Sequence, residues 1–109
     1  LSLAAAKACI EIYRTEPVIE HFWQASRTLW SAFNLLCRKY DLPLRVENYA
    51  PFSVLTFDPD CPANFREQFF RAVCDAGVTL YNGGYVCYAH KSADLEEALQ
   101  RIDSAMSKL

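Results

Sequence analysis

A long amphipathic stretch, residues 16–40, constrains the fold of this chain more than any other feature. At about 100° per residue, its apolar side chains fall in one wide stripe and most of its charged side chains fall on the other side. The stripe contains Val18, Ile19, Phe22, Trp23, Leu29, Trp30, Phe33, Leu36, Cys37 and Tyr40, and Leu35 alone breaks the pattern. We therefore predict one long helix that packs against two neighbours, with Trp23 and Trp30 both in the core.

The ends of this helix have their own signals. Thr15 is a predicted N-cap, and Pro17 suits a first helical turn because that turn does not need its N–H. Arg38 and Lys39 favour the negative end of a helix, and Pro43 lies where the helix has to stop.

Helical spacing of apolar residues predicts three further helices, over residues 1–14, over residues 62–76 and from about Ser92 onward. Gly77 is the predicted C-cap of the middle one. On each of these helices the spacing places a set of apolar residues on one side. These are Leu3, Ala6, Ile10 and Tyr13 on the first, Phe65, Phe69 and Val73 on the second, and Leu95, Leu99, Ile102 and Met106 on the third.

Four segments rich in β-branched, aromatic or alternating residues predict strands, at 44–49, 52–57, 78–81 and 85–88. Asn82, Gly83 and Gly84 separate the last two and predict a tight hairpin turn, since Asn-Gly is a frequent hairpin pair. The order is α-α-β-β-α-β-β-α in a single domain, residues 1–109. It predicts an α+β fold in which helices cover a small, mostly antiparallel sheet of about four strands.

Composition excludes several classes of function. A net charge of −2 offers no basic field for nucleic acid, and no apolar run approaches the ~18 residues of a membrane span. The five cysteines are odd in number and form no C-x-x-C pair, which predicts reduced thiols in a cytoplasmic protein.

The residues suggest little chemistry by themselves. Cys87-x-x-His90 is half of a metal site at most, and we interpret His90 as a hydrogen-bonded residue between a strand and a helix. The Asn82-Gly83-Gly84 turn lacks the helix N-terminus of a phosphate cradle. The chain has four lysines, and each lies in a predicted helix or near a helix end, whereas a Schiff-base lysine needs a desolvated pocket. From the residues alone we expect no catalytic residue and no metal site.

Two segments resemble a known family. Residues 1–13 and 17–23 read LSLAAAKACIEIY and PVIEHFW; near the other end, GV at 77–78 is followed by YVCYAH at 85–90 and DL at 94–95. Together they resemble the C-terminal small domain of class-III pyridoxal-phosphate (PLP) aminotransferases, on the branch of the glutamate-1-semialdehyde aminomutases. The resemblance covers nearly the whole chain.

The resemblance implies that the cofactor lysine, the phosphate-binding turn and the acid beside the pyridine nitrogen belong to a large domain outside these residues. It therefore assigns no cofactor-binding residue here. Aminomutases carry an acidic gate residue before the final strand, whereas this chain has Tyr81-Asn82-Gly83-Gly84 there. The candidates for a substrate entrance are accordingly Asn82, Gly83, Gly84 and His90. An aminotransferase with a different amino acceptor stays equally open.

The resemblance further implies that the large domain is the main partner, within a homodimeric parent enzyme. The chain opens with helix-forming residues and without Met, which we expect of a piece of a longer protein. Because its first helix is apolar on more than one side, we expect the domain alone to self-associate through that helix and the adjoining side of the second. The rival hypothesis is a free-standing, non-catalytic interaction domain of the same shape.

Overall fold

The computed structural model describes residues 1–48 and 51–109; the predicted end of the first strand, Tyr49, lies outside them. Within those ranges the chain forms four helices and three strands, which confirms the α+β class and corrects the predicted strand number. The elements are α1 (Ser2–Thr15), α2 (Val18–Lys39), β1 (Leu44–Val46), β2 (Phe52–Phe57), α3 (Phe65–Asp75), β3 (Gly83–Tyr85) and α4 (Ser92–Met106).

The three strands form one antiparallel sheet in the order β1-β2-β3. Leu44 lies opposite Phe57 at one end of the first pair, and Phe52 lies opposite Tyr85 in the second. Side chains alternate between the two faces of a strand. Accordingly, Ser53 and Leu55 of β2 are buried, whereas Phe52 and Val54 are exposed.

The core lies between the buried face of the sheet and the helices α2, α3 and α4. Its largest fully buried side chains are Trp30, Phe33, Phe69, Val73, Ile102 and Met106. The rings of Phe33 and Phe69 meet edge to face, with centroids 6.3 Å apart, an arrangement that aromatic quadrupoles favour. The predicted inward sides of α3 and α4 are therefore confirmed, and so is that of Trp30 in α2.

The first helix leaves its apolar side chains exposed, as the expected self-association requires. No residue of α1 is buried, and Leu3, Ile10 and Tyr13 are exposed. In α2 the stripe is wider than the core it meets, because Ile19 and Trp23 are also exposed. The core position predicted for Trp23 is wrong. Periodicity identifies an apolar side of a helix, but it does not say that the same chain supplies the cover.

The predicted hairpin is wrong as well. Residues 78–81 form no strand, and 83–85 are themselves the strand β3. A type I′ turn needs positive φ at both central residues. Within the described ranges, positive φ occurs at Asp41 and Gly77 only.

The two glycines lie at these positions because other parts of the chain approach their backbone closely. A Cβ on Gly83 would stand 1.9 Å from the carbonyl oxygen of Ser53, and a Cβ on Gly84 would stand 2.6 Å from Cη2 of Trp30. The two glycines therefore allow β3 to lie against β2 and Trp30.

The structure differs from the predicted N-cap of α2 and supports the predicted end of α3. Thr15 is the last residue of α1, where its hydroxyl donates to the carbonyl of Glu11 (2.9 Å), so it does not cap α2. Gly77 follows α3 with φ of 85°, and its N–H donates to the carbonyl of Cys74 (2.8 Å). The C-cap itself is Ala76, one residue before the predicted position, and Gly77 ends α3 from the next position through its left-handed backbone. Among the described residues, the helices are all too short or too polar to cross a membrane.

Candidate functional site

The predicted entrance residues lie on the segment that runs from the end of α3 to the start of α4. This segment first lines a cleft together with Leu29 and Trp30 of α2, then forms β3, and then leads into α4. Gly84 and His90 reach the same cleft, which has a volume of about 500 Å³. A cleft of this size falls in the range of small-molecule pockets.

Apolar side chains form most of the cleft, and its polar groups lie on α4 and just before it. The apolar lining residues include Leu29, Trp30, Val78, Leu80, Val86, Leu95 and Ile102. His90, Asp94, Glu97 and Arg101 supply the polar groups. Sequence reasoning missed the contribution of α4, although Glu97 and Arg101 are four residues apart, a spacing that predicts an ion pair on a helix.

The other two entrance candidates lie elsewhere. Asn82 is exposed, and its side-chain oxygen accepts a hydrogen bond from Arg66 of α3. Its backbone carbonyl accepts from the N–H of Leu55 (2.8 Å), which extends the pairing between β3 and β2. Gly83 is held against Ser53. The structure thus brings Gly84 and His90 together and directs Asn82 and Gly83 to other contacts.

His90 has the local role that the sequence suggested. Its Nδ1 accepts a hydrogen bond from the backbone N–H of Cys87 (3.1 Å), within a turn that leads into α4. In the neutral ring the proton therefore lies on Nε2. This confirms a hydrogen-bonded histidine at the junction of strand and helix. Within the described part of the chain, no group of three or more His, Cys, Asp or Glu side chains could hold a metal ion.

The charged groups of the cleft have partners within the chain. Nε of Arg101 donates to Glu97 (3.0 Å), and Nη1 reaches the carbonyl of Ala76 (3.4 Å) at the end of α3. Asp94 accepts from the backbone N–H of Lys91 (2.8 Å), which satisfies a free donor at the start of α4. These contacts hold the ends of α3 and α4 and form no nucleophile–base pair.

The lysines do not fit a Schiff-base role. Lys7, Lys39, Lys91 and Lys108 are all exposed. Lys39 lies 2.9 Å from Asp103, and its interactions with Tyr40, and then with Asp103, raise its pKa. Imine formation needs a neutral amine and therefore a lowered pKa. The residues present therefore do not match the part of a PLP site that bonds to the cofactor.

A second apolar surface lies on the outer face of the sheet. The rings of Phe52 and Tyr85 stack there with centroids 4.7 Å apart, and Val54 is exposed beside them. Tyr85 belongs to the same strand as the entrance candidates Gly83 and Gly84. This sheet face (Phe52, Val54 and Tyr85) is therefore continuous with the entrance segment.

The chain is similar in structure to the FumI protein of Sphingopyxis sp. MTA144, solved in its PLP internal aldimine form. The TM-score is 0.83 and the sequence identity is 24%, over 96% of this chain and 26% of that chain. The two share the fold. The chain thus spans about a quarter of the length of a PLP-bound protein. No family model matches the sequence.

Proposed function

We propose that this chain is the C-terminal small domain of a PLP-dependent aminotransferase or aminomutase-like enzyme. The observation that supports it most is the fold shared with a PLP-bound protein, over nearly all of this chain but a quarter of the other. The glutamate-1-semialdehyde aminomutase branch, and with it isomerase activity, is the finer form of this proposal. It rests on the sequence resemblance at residues 1–23 and 77–95.

In this proposal the large domain contributes the lysine, the phosphate contacts and the chemistry. The small domain closes over that site and shapes the substrate entrance, with Gly84 and His90 at the cleft and Tyr85 on the sheet face. The exposed helix α1 and the sheet face support a role as part of a larger protein, because both leave apolar side chains uncovered. The enzyme would work in the cytoplasm as a homodimer.

The proposal predicts that residues 1–109 alone neither bind PLP specifically nor transaminate. Titration with PLP should give no saturable internal-aldimine absorbance, because the four lysines are exposed and the cofactor contacts are elsewhere. Borohydride reduction followed by peptide mapping should find only slow, scattered lysine labelling. A stoichiometric adduct at one lysine would contradict this prediction.

The complementary experiment uses the complete coding region. If it encodes a much longer chain, that product should bind PLP through a lysine outside these residues and transfer an amino group. If it encodes these residues alone, the domain is free-standing and the rival function, a non-catalytic interaction domain, replaces the proposal.

A further inference from the structure

Residues 1–48 and 51–109 leave helix α1 without cover. Its 14 residues include none that is buried, and Leu3 and Ile10 are 87% and 52% exposed. An isolated helix of about this length is marginal in water, so its stability has to come from packing. The element therefore calls for a partner surface.

The whole molecule exposes more surface than its mass explains. A compact monomer of 12.4 kDa exposes about 6,100 Å². This chain exposes 7360 Å². The excess is on the order of 1,000 Å², and one partner in a standard interface buries about 800 Å². The uncovered area is thus enough for one stable interface.

The dimensions of the molecule indicate that the excess exposed surface lies at α1. The molecule measures 47 × 25 × 24 Å, and its radius of gyration of 15.9 Å exceeds the ~13 Å of a compact domain of this length. A 14-residue helix is about 21 Å long, close to the difference between the long axis and the other two. Because no residue of α1 is buried either, we infer that helix α1 projects from the body as an arm.

The arm carries two apolar stripes. Leu3, Ala6, Ile10 and Tyr13 follow one another at spacings of three and four residues, and Ala5, Ala8 and Ile12 do the same on another side. The next helix, α2, adds exposed Ile19 and Trp23, which border a shallow groove. We call these two stripes, with Ile19 and Trp23, the arm surface.

We propose that a second copy of this chain covers the arm surface when residues 1–109 exist by themselves. The interface is isologous: α1 of each copy presents one stripe to the partner's α1 and the other to the body of the partner around its α2. Small side chains at Ala5 and Ala8 allow the backbones to approach closely. This inference concerns the isolated domain and does not depend on the proposed enzymatic function.

The test measures self-association of the 109-residue chain by sedimentation over a wide concentration range. Ile10→Glu and Ile12→Glu each place a charge in one stripe, and we expect each to raise the dimer Kd roughly tenfold or more. Leu35→Glu is the matched control, since Leu35 is 60% exposed on another side of α2. Because α1 buries no residue, the variants should keep their fold, which near-UV circular dichroism checks.

Quenching of tryptophan fluorescence by iodide provides a second readout. Trp23 is 44% exposed and Trp30 is 1% exposed. Iodide should therefore quench mainly Trp23, and association should reduce that quenching. A Trp23→Phe variant, which keeps only Trp30, should show little change in quenching on association. A chain that stays monomeric at every concentration overturns the proposal. So does a dimer that neither glutamate variant weakens, or one that Leu35→Glu weakens equally.

Discussion

At the scale of single residues, Asn34 joins the long helix to the edge of the sheet. Its Nδ2 donates to the carbonyl of Val46 (2.6 Å), and its Oδ1 accepts from the N–H of the same residue (2.8 Å). Asn34 is 7% exposed and Val46 is 2% exposed. The amide thus pairs with the outer edge of β1 as another strand would, which protects that edge.

We expect Asn34→Ala to lower the free energy of unfolding by about 2–4 kcal/mol, since two buried backbone groups lose their partner. Urea denaturation measures the difference. Asn64→Ala is the matched control, because Asn64 is exposed and its side chain makes no capping bond to α3. It should change stability by no more than about 0.5 kcal/mol. Equal effects of the two substitutions would show that the bidentate contact contributes nothing specific.

The cysteines differ in their environment at the same scale. Cys37 is buried, and burial raises the pKa of its thiol to about 12. Cys9, Cys74 and Cys87 are exposed, and Cys61 is partly exposed. We expect a thiol reagent at neutral pH to modify the three exposed thiols first, Cys61 more slowly, and Cys37 only after unfolding, because the thiolate is the reactive form. A total below five in the unfolded protein without reductant would instead indicate a disulfide.

At the scale of elements, the contact of β3 with β2 depends on Gly83. A Cβ there would collide with the backbone of Ser53, which cannot rotate away. We expect Gly83→Ala to lower the free energy of unfolding by about 2–3 kcal/mol, as overpacking does. Chemical denaturation measures this loss, and Gly77→Ala provides a variant to compare it with.

Gly77→Ala is the milder change. It adds strain at a positive φ, but the atom it would meet is at the end of the long Arg101 side chain, which can shift more easily than backbone. That strain costs about 1–2 kcal/mol. If Gly83→Ala costs no more than Gly77→Ala, the close approach of β3 and β2 does not limit stability.

At the scale of the whole molecule, the core is one-sided. It fills the space between α2, α3, α4 and one face of the sheet, whereas α1 and the sheet face of Phe52, Val54 and Tyr85 stay uncovered. A domain of this size has little apolar surface to spare. Two uncovered regions therefore support the proposal that these residues work inside a larger protein, and the arm surface accounts for the expected self-association of the domain alone.

The sequence by itself determined the features that depend on local spacing. The helical period indicated which sides of α3 and α4 are buried, and Gly77 marked the end of α3, because both follow from the geometry of one helix. It also predicted the local hydrogen bond of His90. The α+β class followed from the order of the elements.

Only the tertiary structure decided what covers each apolar side and what each glycine is for. Trp23 and Trp30 have the same helical pattern, but only Trp30 lies under the sheet. Gly83 and Gly84 suit a turn equally well, yet they serve a close approach of Ser53 and Trp30 from segments far away in sequence. The cleft of Leu29, Gly84 and Arg101 likewise joins three separate segments, α2, β3 and α4. Such contacts depend on how residues that are distant in sequence come together in the fold. The hydrophobic periodicity of a single helix or strand does not contain that information.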